Sequence, residues 1–329
     1  MKKLINDVDS VLSESLDGFA AAHADIVTLG EASQFVRRRT LKPGKVALIS
    51  GGGSGHEPLH TGFVGHGMLD AACPGHVFTS PTPDQMMAAA TAVDTGAGVL
   101  FIVKNYSGDM MNFQMAAEMV GCDNETVIVN DDVAVENSTY TTGRRGVAGT
   151  LIVEKILGAA AERGDTLAAL KALGDSVNKA TASMGVALTS CTVPAAGKPT
   201  FQISADEMEM GVGIHGEPGR RRVKLASADD IAAELTDAIL KDLSMKRGQE
   251  VLLLVNGFGG TPLLELYLMV NAVRKVLAGA NVKVVRYLTG SYVTSLEMAG
   301  CSVTVSALDA ETLTLWDAPV HAAALRWGM

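Results

Sequence analysis

The sequence predicts an α/β protein of two domains: a three-layer, doubly wound domain with a largely parallel sheet, then a second α/β domain with a mixed sheet. The chain of 329 residues is long enough for two domains. Short apolar runs alternate with helical stretches in the first half, as in parallel strands joined by crossover helices. With 35 glycines and only 5% aromatic residues, the composition suits close packing of helices against strands.

The first domain is predicted to span residues 1–182. Residues 1–30 are predicted to be helical, because apolar residues such as Leu4, Val8 and Val11 recur at helical spacing. Later in this domain, Met111, Met115 and Met119 repeat every four residues and are interpreted as a core-facing stripe. The expected strands are 46–50, 99–103 and 126–129, and the expected helices are 83–94, 110–120 and 147–163.

The second domain is predicted to span residues 183–329. Its strands are less regularly ordered, which favours a mixed sheet. The expected strands are 186–193, 207–214, 250–256, 283–289 and 302–308, and the expected helices are 228–241 and 261–278.

Composition narrows the class of protein. A net charge of −9 argues against nucleic-acid binding, and the basic clusters 37–39 and 220–222 are interpreted as solvated surface, with docking of an acidic partner left open for the second. No apolar run approaches the roughly 20 residues that span a bilayer. The cysteines form no C-x-x-C pair, so no zinc or redox motif is indicated, and we expect a cytoplasmic protein. They are Cys73, Cys122, Cys191 and Cys301.

The most informative segment is 45–58, in which an apolar run leads to four glycines and then to His56. We predict a loop at 51–55, because glycine lets a ligand approach the main chain and bare amides can bind oxygen atoms. His56 is a candidate general base, with a turn-capping histidine as the alternative. The loop matches neither the Walker phosphate motif nor the dinucleotide fingerprint.

Two other polar segments follow predicted apolar runs or precede predicted helices. Segment 104–109 carries a cation, an amide, two hydroxyls and a carboxylate at the carboxyl end of a strand, where ligands collect in α/β sheets. Its Asp109 is a candidate site residue, and a helix N-cap is the alternative. Segment 78–83 is a rigid loop of hydroxyls and prolines that includes Ser80, and its hydroxyls are suited to contact a polyol.

A third segment, 207–219, places His215 among small residues, ahead of Gly216, Glu217 and Pro218. It echoes the earlier His56-Glu57-Pro58. A neutral ring nitrogen at an accessible position can act as a nucleophile. The alternative is a histidine in a structural turn.

Taken together, the motifs resemble those of the dihydroxyacetone kinase K family, the sugar-binding part of dihydroxyacetone kinases. The resemblance spans the whole chain, and the ordered set of segments is far more specific than any one of them. The matching segments are 50–58, 78–84, 104–109, 130–135, 192–199, 211–219 and 315–320.

The resemblance implies a covalent substrate anchor between the two domains. In that family, the histidine matching His215 adds to the ketone carbonyl of dihydroxyacetone and forms a hemiaminal. Gly53 and Lys104 would hold the substrate, while His56 and Asp109 would bind the reacting hydroxyl and help to remove its proton. The remaining expected substrate-binding residues are Ser54, Gly55 and Ser80.

The resemblance also implies partners. No nucleotide loop or carboxylate cluster for Mg²⁺ is recognised in this sequence, so ADP or ATP with Mg²⁺ is expected on a separate L subunit. A phosphoryl-carrier protein of the phosphotransferase system would recharge that subunit from phosphoenolpyruvate, and this version is favoured over exchange of free ATP. A homodimer is expected, without nucleic acid or membrane.

Two other functions stay open: a kinase for a longer ketose such as erythrulose, and a non-catalytic sugar-binding regulator. The presence of His56, Asp109 and His215 favours catalysis.

Overall fold

A computed structural model describes residues 2–31, 34–135, 143–217 and 219–329. Pro218, part of the His215 motif, lies outside the described residues. The helices are α1 (Val11–Ala22), α2 (Pro83–Val93), α3 (Ser107–Met119), α4 (Gly149–Arg163), α5 (Leu167–Lys179), α6 (Ala228–Leu243), α7 (Leu263–Gly279) and α8 (Ala310–Asp317). The strands are β1 (Val27–Leu29), β2 (Val36–Arg38), β3 (Ala47–Ser54), β4 (Gly65–His66), β5 (Ala71–Val77), β6 (Val99–Lys104), β7 (Asn124–Val129), β8 (Thr181–Ala187), β9 (Glu207–Met210), β10 (Arg221–Lys224), β11 (Glu250–Gly257), β12 (Lys283–Gly290), β13 (Gly300–Ala307), β14 (Val320–Ala322) and β15 (Arg326–Trp327).

The first sheet has the order β1-β2-β5-β3-β6-β7. Strands β5, β3, β6 and β7 run parallel, and β1 and β2 form an antiparallel edge. Successive residues of β6 point to opposite faces: Phe101 packs with buried residues of α2 and α3, and Leu100 with those of α4 and α5. The predicted three-layer arrangement around a largely parallel sheet is therefore confirmed.

The second sheet has the order β10-β9-β8-β13-β11-β12. Strands β11 and β12 pair in parallel, and the other neighbours pair antiparallel, which confirms the mixed sheet. Helices α6 and α7 pack on one face of this sheet. Helix α4 contacts strands of both sheets and is buried from Gly149 to Ala161, as expected for a helix that is apolar nearly all round.

The two halves share a core. Leu254, Phe258 and Trp316 from the second half belong to the same buried cluster as Leu100 from the first. Strand β14 pairs with β4 and so joins the end of the described chain to the first half. The domain boundary at residue 182 stays a prediction. Among the helices of the described residues, none combines the length and apolarity that crossing a membrane requires.

The prediction of a glycine loop at 51–55 is wrong, because residues 51–54 continue β3 and pair with β5. The glycines serve close approach: a Cβ on Gly51 would lie 2.5 Å from the carbonyl oxygen of Cys73. Only Gly55 takes a left-handed turn conformation, with φ +100°.

The helix predicted over residues 1–30 is confirmed only at α1. The side chain of Asp7 accepts a hydrogen bond from the amide of Asp9, a local turn that competes with helix formation. At the other end, the β-branched pair Val27 and Thr28 lies in β1.

Two strands of the second half were also misplaced. The strand expected at 186–193 lies earlier, at 181–187, where β8 pairs with β13. The strand expected at 207–214 ends at Met210, because Gly211 turns the chain with φ +78°.

The core-facing stripe predicted on α3 is wrong. Met111, Met115 and Met119 are 60%, 45% and 58% exposed, whereas Phe113 and Ala116 face the sheet. Helical spacing identifies a face, but it does not say which face meets the core.

The basic cluster 37–39 is not uniformly solvated either. Arg38 is buried and forms ion pairs with Asp70 and Glu162.

Candidate active site

A cleft of about 910 Å³ lies where residues of both halves meet. From the first half it receives segments at the carboxyl ends of β3, β5 and β6, the edge at which ligands collect in parallel sheets. The turn after β9, together with Thr200, supplies the second-half wall. The described residues that line it are Gly53, Phe78, Thr79, Ser80, Tyr106, Ser107, Gly108, Asp109, Asn112, Thr200, His215, Gly216 and Glu217.

His215 lies in this cleft, and its ring is partly exposed. Its Nδ1 is 2.9 Å from Oε1 of Glu217, whose other oxygen accepts the His215 amide. A carboxylate accepts but does not donate, so it holds the ring proton on Nδ1 and leaves the Nε2 lone pair free. The aromatic rings of His56, Phe78 and Tyr106 surround the imidazole, with centroids 4.6 to 5.2 Å away.

Glu217 is kept ionised by its neighbours. Burial alone would raise its pKa, but the charge and hydrogen bond of His215, with the charge of Arg145, lower that pKa to about 2. The guanidinium of Arg145 is itself buried and fixed by Asp132 and by the carbonyl oxygen of Gly211. A chain of charges, Asp132 to Arg145 to Glu217, therefore orients the imidazole.

His56 lies beside His215, stacked on Phe78 with ring centroids 5.0 Å apart. Its Nδ1 is 2.7 Å from the carbonyl oxygen of Thr294, which can only accept, so the proton lies on Nδ1 and the Nε2 lone pair is free. Burial, followed by the charges of His215 and Lys104, lowers the pKa of His56 well below 6.5. The ring is therefore a neutral base at physiological pH.

Asp109 lies in the first turn of α3 and is buried, but it is not the N-cap, which is Tyr106. One carboxylate oxygen is 3.7 Å from Nζ of Lys104. Burial lowers the pKa of Lys104, although the carboxylates of Asp109 and Glu154 oppose this change. Lys104 also donates to the carbonyl oxygen of Gly51 and lies 2.8 Å from Nε2 of His60.

Three polar atoms of the site have no hydrogen-bond partner among the described residues, although all three are buried. They are Nε2 of His56, the hydroxyl of Tyr106 and Oδ1 of Asp109. Buried polar groups are nearly always paired in folded proteins. Three such atoms on residues in or beside one cleft indicate a site for a small ligand with several hydroxyl or carbonyl groups.

Not every predicted site residue reaches the cleft. Gly53 and Ser80 belong to its described lining, whereas Ser54 and Gly55 do not. The hydroxyl of Ser54 donates to the carbonyl oxygen of Gly75, and the amide of Gly55 donates to Glu57. Lys104 lies behind the described lining and contacts Asp109, which belongs to that lining.

Several residues of the site escaped the sequence predictions. Glu217 lies in the same segment as His215, but a spacing of two residues does not show which side chain binds the histidine. Thr294 and Arg145 come from segments with no recognisable motif, so only the fold brings them to His56 and Glu217. Among the described residues, no group of three or more histidine, cysteine or acidic side chains could hold a metal ion.

The fold and cleft define a two-sheet α/β protein in which His215 of one half faces His56 and Asp109 of the other across a cleft. The Dak1 domain model matches residues 17–324, so the chain belongs to the Dak1 family. The resemblance inferred from the motifs is confirmed.

Two similar proteins are named as kinase subunits. The PTS-dependent dihydroxyacetone kinase 1, dihydroxyacetone-binding subunit DhaK, of Listeria innocua is 51% identical over 94% of this chain and 95% of that protein. The PEP-dependent dihydroxyacetone kinase, dihydroxyacetone-binding subunit DhaK, of Escherichia coli K12 is 48% identical over the full length of both chains.

Solved structures agree in fold. The dihydroxyacetone kinase operon co-activator Dha-DhaQ has a TM-score of 0.90 and 34% identity, covering 94% of this chain and 97% of that one. The native dihydroxyacetone kinase of C. freundii has a TM-score of 0.87 and 33% identity, covering 99% of this chain and 60% of that one.

Proposed function

We propose that this chain is the dihydroxyacetone-binding subunit of a phosphoenolpyruvate-dependent dihydroxyacetone kinase, and that it presents a hydroxyl of the bound triose for phosphorylation. The observation that carries this proposal is the cluster of unpartnered polar atoms on His56, Tyr106 and Asp109 around the free nitrogen of His215. The names of the similar subunits support the substrate.

The triose is held by a covalent bond to His215. Its Nε2 attacks the carbonyl carbon, the π bond opens, and the oxygen takes up a proton from water to become a hydroxyl. The Nδ1 proton is then lost to solvent while Glu217 stays ionised, so the product is a neutral hemiaminal. Because glycerol offers no carbonyl carbon, this bond distinguishes a ketose from a polyol that hydrogen bonds alone would accept.

The reacting hydroxyl lies between the neutral ring of His56 and the side chain of Asp109, which act as proton acceptors. The cleft is much larger than a triose, which leaves room for a phosphoryl donor to approach from outside. The donor is ATP with Mg²⁺ on a separate L subunit, and the ADP that the transfer leaves there is phosphorylated again by a phosphoryl-carrier protein.

The covalent anchor is tested by native mass spectrometry with dihydroxyacetone. We expect the mass of one triose to be added reversibly to the wild type and to His76→Ala, whose histidine is exposed, but not to His215→Ala. An adduct that persists in His215→Ala would contradict the assignment.

Catalysis is tested by reconstitution with the L subunit of a similar kinase, using phosphoenolpyruvate and carrier proteins or ATP. We expect Asp109→Asn to keep the adduct and to slow phosphoryl transfer about 100-fold or more. Turnover by this chain with ATP and Mg²⁺ alone would contradict the proposed partner.

A regulatory binding protein is the second candidate, because a co-activator shares the fold at a TM-score of 0.90. An adduct without phosphoryl transfer in the reconstituted system would favour it.

A further inference from the structure

Behind the cleft, four ionisable side chains form a continuous buried row. Oε1 of Glu154 on α4 is 2.6 Å from Nδ1 of His60, and Nε2 of His60 is 2.8 Å from Nζ of Lys104. Lys104 in turn lies 3.7 Å from Asp109. All four residues are at most 5% exposed. His60 and Glu154 have no part in the proposed anchor. Burying ionisable groups is costly unless they are paired, and clusters of such groups are common at functional sites.

The donors and acceptors of this row fit two arrangements. In the first, the Lys104 ammonium donates to Nε2 of His60, and the Nδ1 proton is donated to an ionised Glu154. In the second, a protonated Glu154 donates to Nδ1, and the Nε2 proton is donated to a neutral Lys104 amine. The two differ only in where protons lie, and their total charge is the same.

We propose that His60 and Glu154 form a proton relay that withdraws the proton of Lys104 and thereby makes Asp109 a stronger base for the substrate hydroxyl. One N–H bond of Lys104 breaks as Nε2–H of His60 forms, and Nδ1–H breaks as O–H of Glu154 forms. No proton enters or leaves the protein. His60 and Glu154 act through Lys104, so they are positioning residues.

The surroundings favour such a transfer. Burial raises the pKa of Glu154 to about 8 against the opposing charge of Lys104 and the Ser50 hydroxyl, and burial lowers the pKa of Lys104. The pKa of His60 is lowered well below 6.5, chiefly by burial and then by the charges of Lys104 and His56, so its ring is neutral. A neutral imidazole can pass a proton by exchanging its tautomers.

The role of Asp109 in this inference rests on the proposed function, whereas the relay rests on the geometry alone. Single-turnover phosphoryl transfer from the reconstituted L subunit is therefore measured against pH for wild type and Glu154→Gln. In wild type, neutral Lys104 arises by an internal shift, so the rate is level across neutral pH. In Glu154→Gln, Lys104 must lose its proton to solvent, so we expect the rate to fall about tenfold at neutral pH and to rise with pH.

The matched control is Glu162→Gln, which changes another glutamate of α4 that lies near a histidine, His66, outside the cleft. Its rate and pH profile should follow the wild type. Equal adduct formation in the wild type and both variants would show that the anchor is intact. Absence of the adduct in the wild type would instead contradict the proposed function. A Glu154→Gln profile parallel to the wild type would overturn the relay.

A second measurement needs no turnover. In protein labelled with ¹⁵N-histidine, the His60 signals are identified by their absence in His60→Gln. We expect a neutral wild-type ring that shares its proton between both nitrogens in a ratio independent of pH across neutrality, and in Glu154→Gln a proton fixed on Nδ1. A doubly protonated ring, or one fixed on Nδ1 in the wild type, would overturn the relay.

Discussion

At His215, the position of one proton decides which ring nitrogen is free to bond to carbon. Glu217 holds that proton on Nδ1, and Arg145 with Asp132 holds Glu217. The chain carries a similar motif at His56-Glu57-Pro58. There the Glu57 carboxylate accepts a hydrogen bond from the amide of Gly55, and a carbonyl oxygen orients the His56 ring. The same residue types in nearly the same order therefore give two different histidines.

Replacing Glu217 by Gln should weaken the triose adduct about 10- to 100-fold, because the hydrogen bond to a charged acceptor is replaced by a weaker one to a neutral amide. Titration of the adduct by native mass spectrometry measures this. Glu57→Gln is the matched control and should bind as the wild type does. Equal affinity in Glu217→Gln would show that the carboxylate does not prepare His215.

The buried neutral ring of His56 makes part of the stability depend on pH. The unfolded chain binds a proton at this histidine below about pH 6.5, and the folded chain does not, so its contribution to the free energy of unfolding falls as the pH falls. The difference in unfolding free energy between wild type and His56→Asn should change by up to about 1.4 kcal/mol per pH unit below that value. Urea titrations at several pH values measure it, and a difference independent of pH would contradict a neutral His56.

Sequence patterns identify some residues of the site and not others. His56, Asp109 and His215 could be predicted because their segments combine distinctive residue types at strand ends. Glu217 could not be assigned a partner, since the local pattern leaves open whether the carboxylate meets a ring or an amide. The hydrogen bond from His56 to Thr294 joins residues 238 positions apart, and no local signal encodes it.

The pairing of strand β3 explains why its glycines occur. The expected loop is a strand. Its glycines have no side chains, so β5 and the segment after it can approach β3 closely. A Cβ on Gly53 would lie 2.5 Å from the amide nitrogen of Thr79, and a Cβ on Gly52 would lie 2.3 Å from Nζ of Lys104. Glycine content predicted close approach but not the secondary structure in which it occurs.

Gly51→Ala should therefore destabilise the protein by about 1–3 kcal/mol, since the added methyl group meets the backbone of Cys73. The midpoint of urea unfolding measures the change. Gly18→Ala is the control, because that exposed helical site has open space and alanine should stabilise α1 by up to about 1 kcal/mol. An unchanged midpoint for Gly51→Ala would contradict the strand pairing described here.

The two halves of the molecule are joined by hydrogen bonds beside the site. Thr294 from the second half donates to the carbonyl oxygen of Glu57, and the amide of Leu296 donates to that of Gly55. Helix α4 and the shared core lie between the sheets. The alternation of elements predicted both sheets, but not these contacts, because they join segments that are distant in sequence.

We expect the halves to unfold together. The described Trp316 and Trp327 report on the packing of the C-terminal segments, and far-ultraviolet circular dichroism reports on both sheets. Urea transitions followed by the two signals should coincide. Two separated transitions would show that the shared core does not couple the halves.

The most direct test of the covalent anchor is ¹³C NMR of dihydroxyacetone labelled at its carbonyl carbon and bound to the protein. We predict that the bound carbon loses its carbonyl shift and appears where a carbon bonded to one oxygen and one nitrogen is found. This signal should be absent with His215→Ala. A bound triose that keeps the shift of a ketone or of its free hydrate would contradict the bond to His215.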